Sequence, residues 1–105
     1  MSDLHHPTAS ELELTAVMHA LSDPARLSVV RTLAVEGERA CGTFDLGVTK
    51  ATASHHFKVL REAGLVMTRL DGPRRYLRLR REELDARFPG LLGAVLAAEL
   101  AGATA

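Results

Sequence analysis

The chain carries a single cysteine, no tryptophan, one tyrosine and no net charge. A lone Cys41 can close no internal disulfide, which fits a reducing compartment and a cytoplasmic protein. It reads best as a small buried apolar residue. Aromatic residues make up only 4% of the chain, so no aromatic set is available to line a pocket. No run of about 18 apolar residues occurs, so no helical membrane span is expected. The Met1–Pro7 stretch has no apolar segment of the signal-peptide kind. There is no Gly-rich phosphate loop and no acid/base pair placed by spacing to activate Cys41, so an enzyme is not expected.

Zero net charge speaks against a nucleic-acid partner until the charges are placed. Of thirteen basic and thirteen acidic residues, nine basic and two acidic ones fall between Lys50 and Arg81. One section is therefore strongly basic and the remainder acidic, the footprint of a protein that meets a polyanion. At 105 residues the chain is one domain by default, and a domain this small gains from dimerisation.

A helix starting after Thr49 makes use of those charges. Thr49 suits an N-cap whose hydroxyl accepts from the backbone N–H of Thr52. Ala53, Phe57, Leu60 and Gly64 recur on one side at helical spacing. The other side carries Ala51, His55, Lys58 and Glu62, flanked by Lys50, Ser54 and Arg61. Gly64 can take the left-handed conformation that stops a helix. Small residues at the front and cations at the edges suit the major groove of double-stranded DNA.

Residues 1–9 read as a flexible arm, 10–101 as the folded domain and 102–105 as a frayed tail. Ser10 can cap a helix from Glu11 to about Leu21, with Leu14, Val17, Met18 and Leu21 on an inner face and Leu12, Ala16 and His19 on a second face. Asp23 caps a second helix that begins at Pro24 and ends at Gly37, with Leu27, Val30, Leu33 and Ala34 inward and Arg26 and Arg31 outside. Glu38 to Ala40 is a connector, Cys41 to Leu46 a short helix, and Gly47-Val48 a turn. Two strands, Leu65–Leu70 and Arg75–Leu79, flank the Asp71-Gly72 hairpin signal. Leu77 and Leu79 pack, while Tyr76, Arg78 and Arg80 form a basic face. A short helix spans Glu82 to Phe88, and a last one, from about Gly90 to Leu100, is apolar nearly all round. Covering it calls for a homodimer built on the first and last helices, through Leu12, Ala16, His19, Leu91, Leu92, Val95, Leu96 and Leu100.

The order helix, helix, short helix, DNA-facing helix, two-stranded wing, helix is that of a winged helix-turn-helix: mainly α with a two-stranded β-wing. Ala20-Leu21-Ser22-Asp23-Pro24-Ala25-Arg26-Leu27 and the run from Ser54 to Val66 resemble the two signature stretches of the ArsR/SmtB family of bacterial transcriptional regulators. The resemblance implies a homodimer on a near-palindromic operator. The helix itself offers Thr49, Lys50, Ala51, Thr52, Ser54, His55, His56, Lys58 and Arg61 to DNA, and the wing offers Arg69, Arg74, Arg75 and Arg78, by residue type and docking geometry. His56 also resembles a framework histidine of the family. The family's paired metal-binding cysteines fall here on Gly42 and Phe44, and no histidine follows His56, so neither family metal site is expected. His5, His6 and His19 are the remaining candidates for a nitrogen/oxygen site for nickel or zinc. The alternatives to a plain DNA-binding regulator are a nickel- or zinc-responsive switch and an adaptor that needs a partner protein.

Overall fold

The computed structural model describes residues 4–104, with side chains described as far as Ala101. A single 3-10 turn, Ala9–Glu11, precedes α1 (Leu14–Leu21) and α2 (Pro24–Glu36). A two-residue strand β1 (Arg39–Ala40) and a second 3-10 turn (Cys41–Thr43) lead to α3 (Lys50–Glu62). Strands β2 (Val66–Asp71) and β3 (Arg74–Leu79), then α4 (Arg81–Arg87) and α5 (Leu91–Thr104), complete the chain. The sheet is antiparallel in the order β1-β3-β2. It has three strands rather than two, because Arg39 and Ala40 pair with Leu77 and Tyr76 where the sequence suggested a connector.

The first helix starts three residues later than its composition predicts. The backbone N–H of Thr8 donates to Glu11 Oε1 (2.8 Å), and Glu11 N–H donates back to the Thr8 carbonyl (3.0 Å). That closes one turn around Ser10, which therefore is not the cap of α1. Leu12 and Glu13 are extended, and the break re-aims everything that follows. Leu12 enters the core, 1% exposed, while Leu14 and Met18 face out at 45% and 54%. Val17, Ala20 and Leu21 become the buried face of α1.

The core joins that face to Val29, Val30 and Leu33 of α2, Leu60 of α3, Leu65, Val66 and Leu77 of the hairpin, and Leu84, Leu92 and Leu96. Each fully buried leucine contributes about 1.5–3 kcal/mol. Leu12, Leu92 and Leu96, expected at a dimer interface, thus belong to the core of the single chain. The last helix runs on to Thr104, into the tail expected to fray from 102.

Three contacts lay the N-terminal segment on the body. The Thr68 backbone N–H, at the β2 edge of the sheet, donates to His6 Nε2 (2.9 Å). Arg80 Nη1 donates to the Pro7 carbonyl (2.8 Å) and Arg61 Nε to the His5 carbonyl (3.2 Å). Residues 4–9 of the proposed arm are therefore held along α3 and β2; residues 1–3 lie outside the described residues. Arg80, read from the sequence as part of a basic face, is only 3% exposed, and its fork grips Glu83 at 2.9 and 2.7 Å.

Candidate nucleic-acid interface

An exposed polar face belongs to α3, and local chemistry sets both ends of that helix. Thr49 Oγ1 accepts from the Thr52 N–H (3.2 Å) and lies 2.9 Å from the Thr52 hydroxyl. At the other end the Gly64 N–H bonds the Arg61 carbonyl and the Leu65 N–H the Leu60 carbonyl, both at 3.0 Å, a Schellman closure. Gly64 has φ +86°, and a Cβ there would collide with Leu12 Cδ2, so this stop tolerates only glycine.

Between those ends the helix has two unlike faces. Leu60 is buried, Ala53 is half-buried, and Phe57 sets its ring 5.8 Å from that of Phe44. Lys50, Ala51, Thr52, Ser54, His55, Lys58 and Glu62 are exposed. Lys50, Ser54 and Lys58 have no side-chain partner among the described residues, and His55 meets only the His56 ring, 6.2 Å between centroids, so the donors of all four are free to meet phosphate or base edges.

Behind this face sits a buried joint. Arg26, 7% exposed, donates from Nε to the Ala20 carbonyl (2.8 Å) and from Nη2 to the His19 carbonyl (3.3 Å). Its Nη1 lies 3.1 Å from His56 Nδ1; a guanidinium only donates, so that ring nitrogen accepts. His56 Nε2 in turn faces Asp23 Oδ2 at 3.8 Å. Asp23 caps α2 through the N–H groups of Ala25 and Arg26. The Arg26 N–H above all holds its carboxyl below the usual range, against the opposing effect of desolvation. One arginine therefore ties the end of α1 to α3. His56, included with the DNA-facing residues but also read as a framework histidine, is 8% exposed and braces α3 from behind. Arg26, placed outside by its charge, is inside. The signal was present: Arg26, Val29, Val30 and Leu33 follow helical spacing, and only the guanidinium argued against burial.

The sheet presents a different surface. Arg69 Nη2 donates to Glu38 Oε1 (2.8 Å), Asp71 lies 3.9 Å away, and the guanidinium rests 4.5 Å over the Tyr76 ring. The hydrogen bond from Arg69 holds the Glu38 carboxyl below its ordinary range. Arg74, Arg75 and Arg78 are exposed and have neither a hydrogen bond nor an ion pair among the described residues. The hairpin turns at Gly72 (φ +60°) followed by Pro73, the order of a type II′ turn. Arg61 is half-buried, with its Nε on the His5 carbonyl.

The metal-binding expectations fare poorly on geometry. Among the described residues no three His, Cys, Asp or Glu side chains gather as a cation site, and His5, His6 and His19 are not brought together. His6 already accepts from Thr68. The positions of the family's thiolate pair do not fit a metal either: Gly42 has no donor, and Phe44 packs on Phe57 with Arg39 over its ring at 4.8 Å. Burial pushes the Cys41 thiol up, away from the thiolate a metal needs. The region from Cys41 to Leu46, expected as a helix, is a 3-10 turn followed by irregular chain.

A helical body with a capped, outward-facing polar helix and a small antiparallel hairpin defines a winged helix-turn-helix transcriptional regulator. A helix-turn-helix domain family matches residues 21–69. The chain is 46% identical over 79 residues to an uncharacterized HTH-type transcriptional regulator, YceK, of Bacillus subtilis (strain 168), covering 72% of this chain and 79% of that one. It is 35% identical over 74 residues to the arsenical resistance operon repressor of Staphylococcus xylosus, 70% and 71% of the two chains. The crystal structure of the transcriptional repressor BigR from Xylella fastidiosa aligns with a TM-score of 0.56 at 34% identity, over 71% of this chain and 85% of that one. The chain belongs to the ArsR family of winged helix-turn-helix regulators.

Proposed function

We propose that the protein is a bacterial, sequence-specific, double-stranded DNA-binding regulator that acts as a homodimer on a near-palindromic operator. The observation that carries this reading is the exposed face of α3: Lys50, Ser54, His55 and Lys58 face outward on a helix braced from behind by Arg26 and His56. Cations bound to phosphate supply affinity and salt sensitivity, and side chains at base edges supply sequence choice. Arg74, Arg75 and Arg78 extend the basic surface onto the hairpin. The relatives named as repressors support repression as the outcome.

The dimer needs a surface, and the burial pattern revises which residues supply it. Leu14 and Met18 of α1 are exposed apolar side chains, and Ala16 of α1 and Leu91 and Val95 of α5 are half-buried. His19 is exposed on α1. Two copies that join these helices would cover apolar surface that one copy leaves in water. Among the described residues no helix is long and apolar enough to cross a membrane.

The test is selection of genomic DNA fragments by the purified, chelator-treated protein at moderate salt. Enrichment of a palindromic motif supports the reading. Salt-labile background binding alone, with no enriched sequence, would overturn it. Repeating the selection with nickel, zinc or a co-purifying protein decides between a plain regulator and one that needs an ion or an adaptor.

A further inference from the structure

A cleft of about 350 Å³ lies between α2 and α5, within the size range of small-ligand sites. Leu96 is buried at its floor, and Val35 and Leu100 stand on its two sides, 70% and 51% exposed. Two guanidiniums also line it, Arg31 from α2 and Arg81 from the start of α4. Neither is saturated. Arg31 reaches Glu99 only at 4.0 Å, and Arg81 uses its Nε on Asp85 at 3.2 Å, with no partner for its Nη groups among the described residues.

Gly93 lines the same cleft. It is not among the positive-φ glycines, and a Cβ there would meet nothing within 4 Å. Neither backbone nor packing calls for glycine at this place, and alanine suits a helix better. What the missing side chain does is keep the cleft open.

We propose that this cleft binds a small-molecule carboxylate with a short apolar tail. The tail lies over Leu96 and Gly93, between Val35 and Leu100. The carboxylate meets the unused N–H groups of Arg31 and Arg81, since paired guanidinium donors hold a carboxylate well. Apolar walls favour such an acid over inorganic phosphate, which would leave them in water. A bound carboxylate competes with Glu99 for Arg31, so the link between α2 and α5 depends on occupancy. Any consequence for DNA affinity rests on the function proposed above; binding itself is read without DNA, so either can fail alone.

The experiment titrates sodium octanoate into the full chain and follows the backbone amide spectrum. Saturable shifts at Gly93 and its neighbours, half-complete below about 1 mM, are expected. Octanol, which lacks the charge, should bind about tenfold more weakly, as should octanoate to Arg81→Gln. Gly93→Leu fills the cleft and should abolish the shifts while the thermal transition is kept. If that variant fails to fold, the exposed Arg81→Gln still decides. Equal binding of octanol and octanoate, shifts that map elsewhere, or unchanged affinity in Gly93→Leu would overturn the proposal. So would dissociation of the oligomer by Val35→Glu, which would make the cleft a contact between copies.

Discussion

The outer face of α3 and the outer face of the sheet look alike in sequence, since both are rich in cations, but they are prepared for different work. On α3, Lys50 and Lys58 point into solvent without a partner among the described residues. On the sheet, Arg69 is already held by Glu38, Asp71 and the Tyr76 ring. Elsewhere in the basic section Arg61 holds His5, Arg80 holds Glu83 and Pro7, and Arg81 holds Asp85. Of the nine cations between Lys50 and Arg81, Arg69, Arg80 and Arg81 already face a carboxylate, which leaves six with no ion pair among the described residues to meet a polyanion. A charge count along the sequence therefore overstates the binding surface, and the correction differs from one element to the next.

The contrast between the two faces is lost most completely when the support behind α3 is removed. Arg26→Leu leaves the Ala20 and His19 carbonyls and His56 Nδ1 without their donor, and should cost about 3 kcal/mol in urea unfolding. A loss of less than about 1 kcal/mol would mean that the joint does not hold α3 in place.

The next effect separates the two faces directly. Lys58→Ala should weaken DNA binding about tenfold on every sequence and make the salt dependence shallower by about one phosphate's worth. Arg69→Ala should do much less, because its guanidinium is already neutralised. Glu38→Gln should free Arg69 and raise non-specific affinity a few fold, measured by fluorescence anisotropy at fixed salt. Equal losses for Lys58→Ala and Arg69→Ala would remove the distinction.

On α3 itself, His55→Ala and Ser54→Ala should act on sequence choice. Matched and mismatched operators should then differ by about 1–3 kcal/mol less than for the unaltered chain. A uniform loss across both operators would make these residues phosphate contacts.

The smallest effect concerns pH. Burial, then the charges of Arg61 and Arg80, lower the pKa of His6 from its ordinary value of 6.5, with His5 adding to the same direction. As an acceptor from Thr68 N–H, His6 must be neutral at Nε2 in the folded chain. Below 6.5 the unfolded chain takes up a proton that the folded one resists, so this contribution is full above 6.5 and is lost as pH falls toward the lower folded value. The thermal transition should drop between about pH 7.5 and about pH 5.5, and His6→Gln should flatten that drop. An unchanged slope in the variant would assign the pH dependence to another group.

Where the sequence reading succeeded, the deciding contacts were short. Thr49 to Thr52, Asp23 to Ala25 and Arg26, and the turn at Gly72 all close within about four residues, where residue type alone restricts geometry. It failed at β1, whose two residues are too few to show a period. At Cys41–Leu46 an apolar and polar mixture suggested a helix, yet the chain there serves to carry Phe44 to Phe57. On the sheet, the alternation correctly put Leu77 inside but gave no sign that Arg80 would turn inward to meet Pro7, seventy-three positions earlier.

The helix that meets solvent on its polar side, the caps that bound it, the hairpin and the family are legible from residue order alone. Those follow from local hydrogen bonds and from the periods of apolar residues. Tertiary structure decided which cations remain free, that Arg26 and Arg80 are buried, and that Leu12 rather than Leu14 enters the core. The partner of a long charged side chain can lie thirty or more positions away, as His56 does from Arg26 and Glu38 from Arg69. No local pattern records such a distance; only the folded chain brings the two groups within reach.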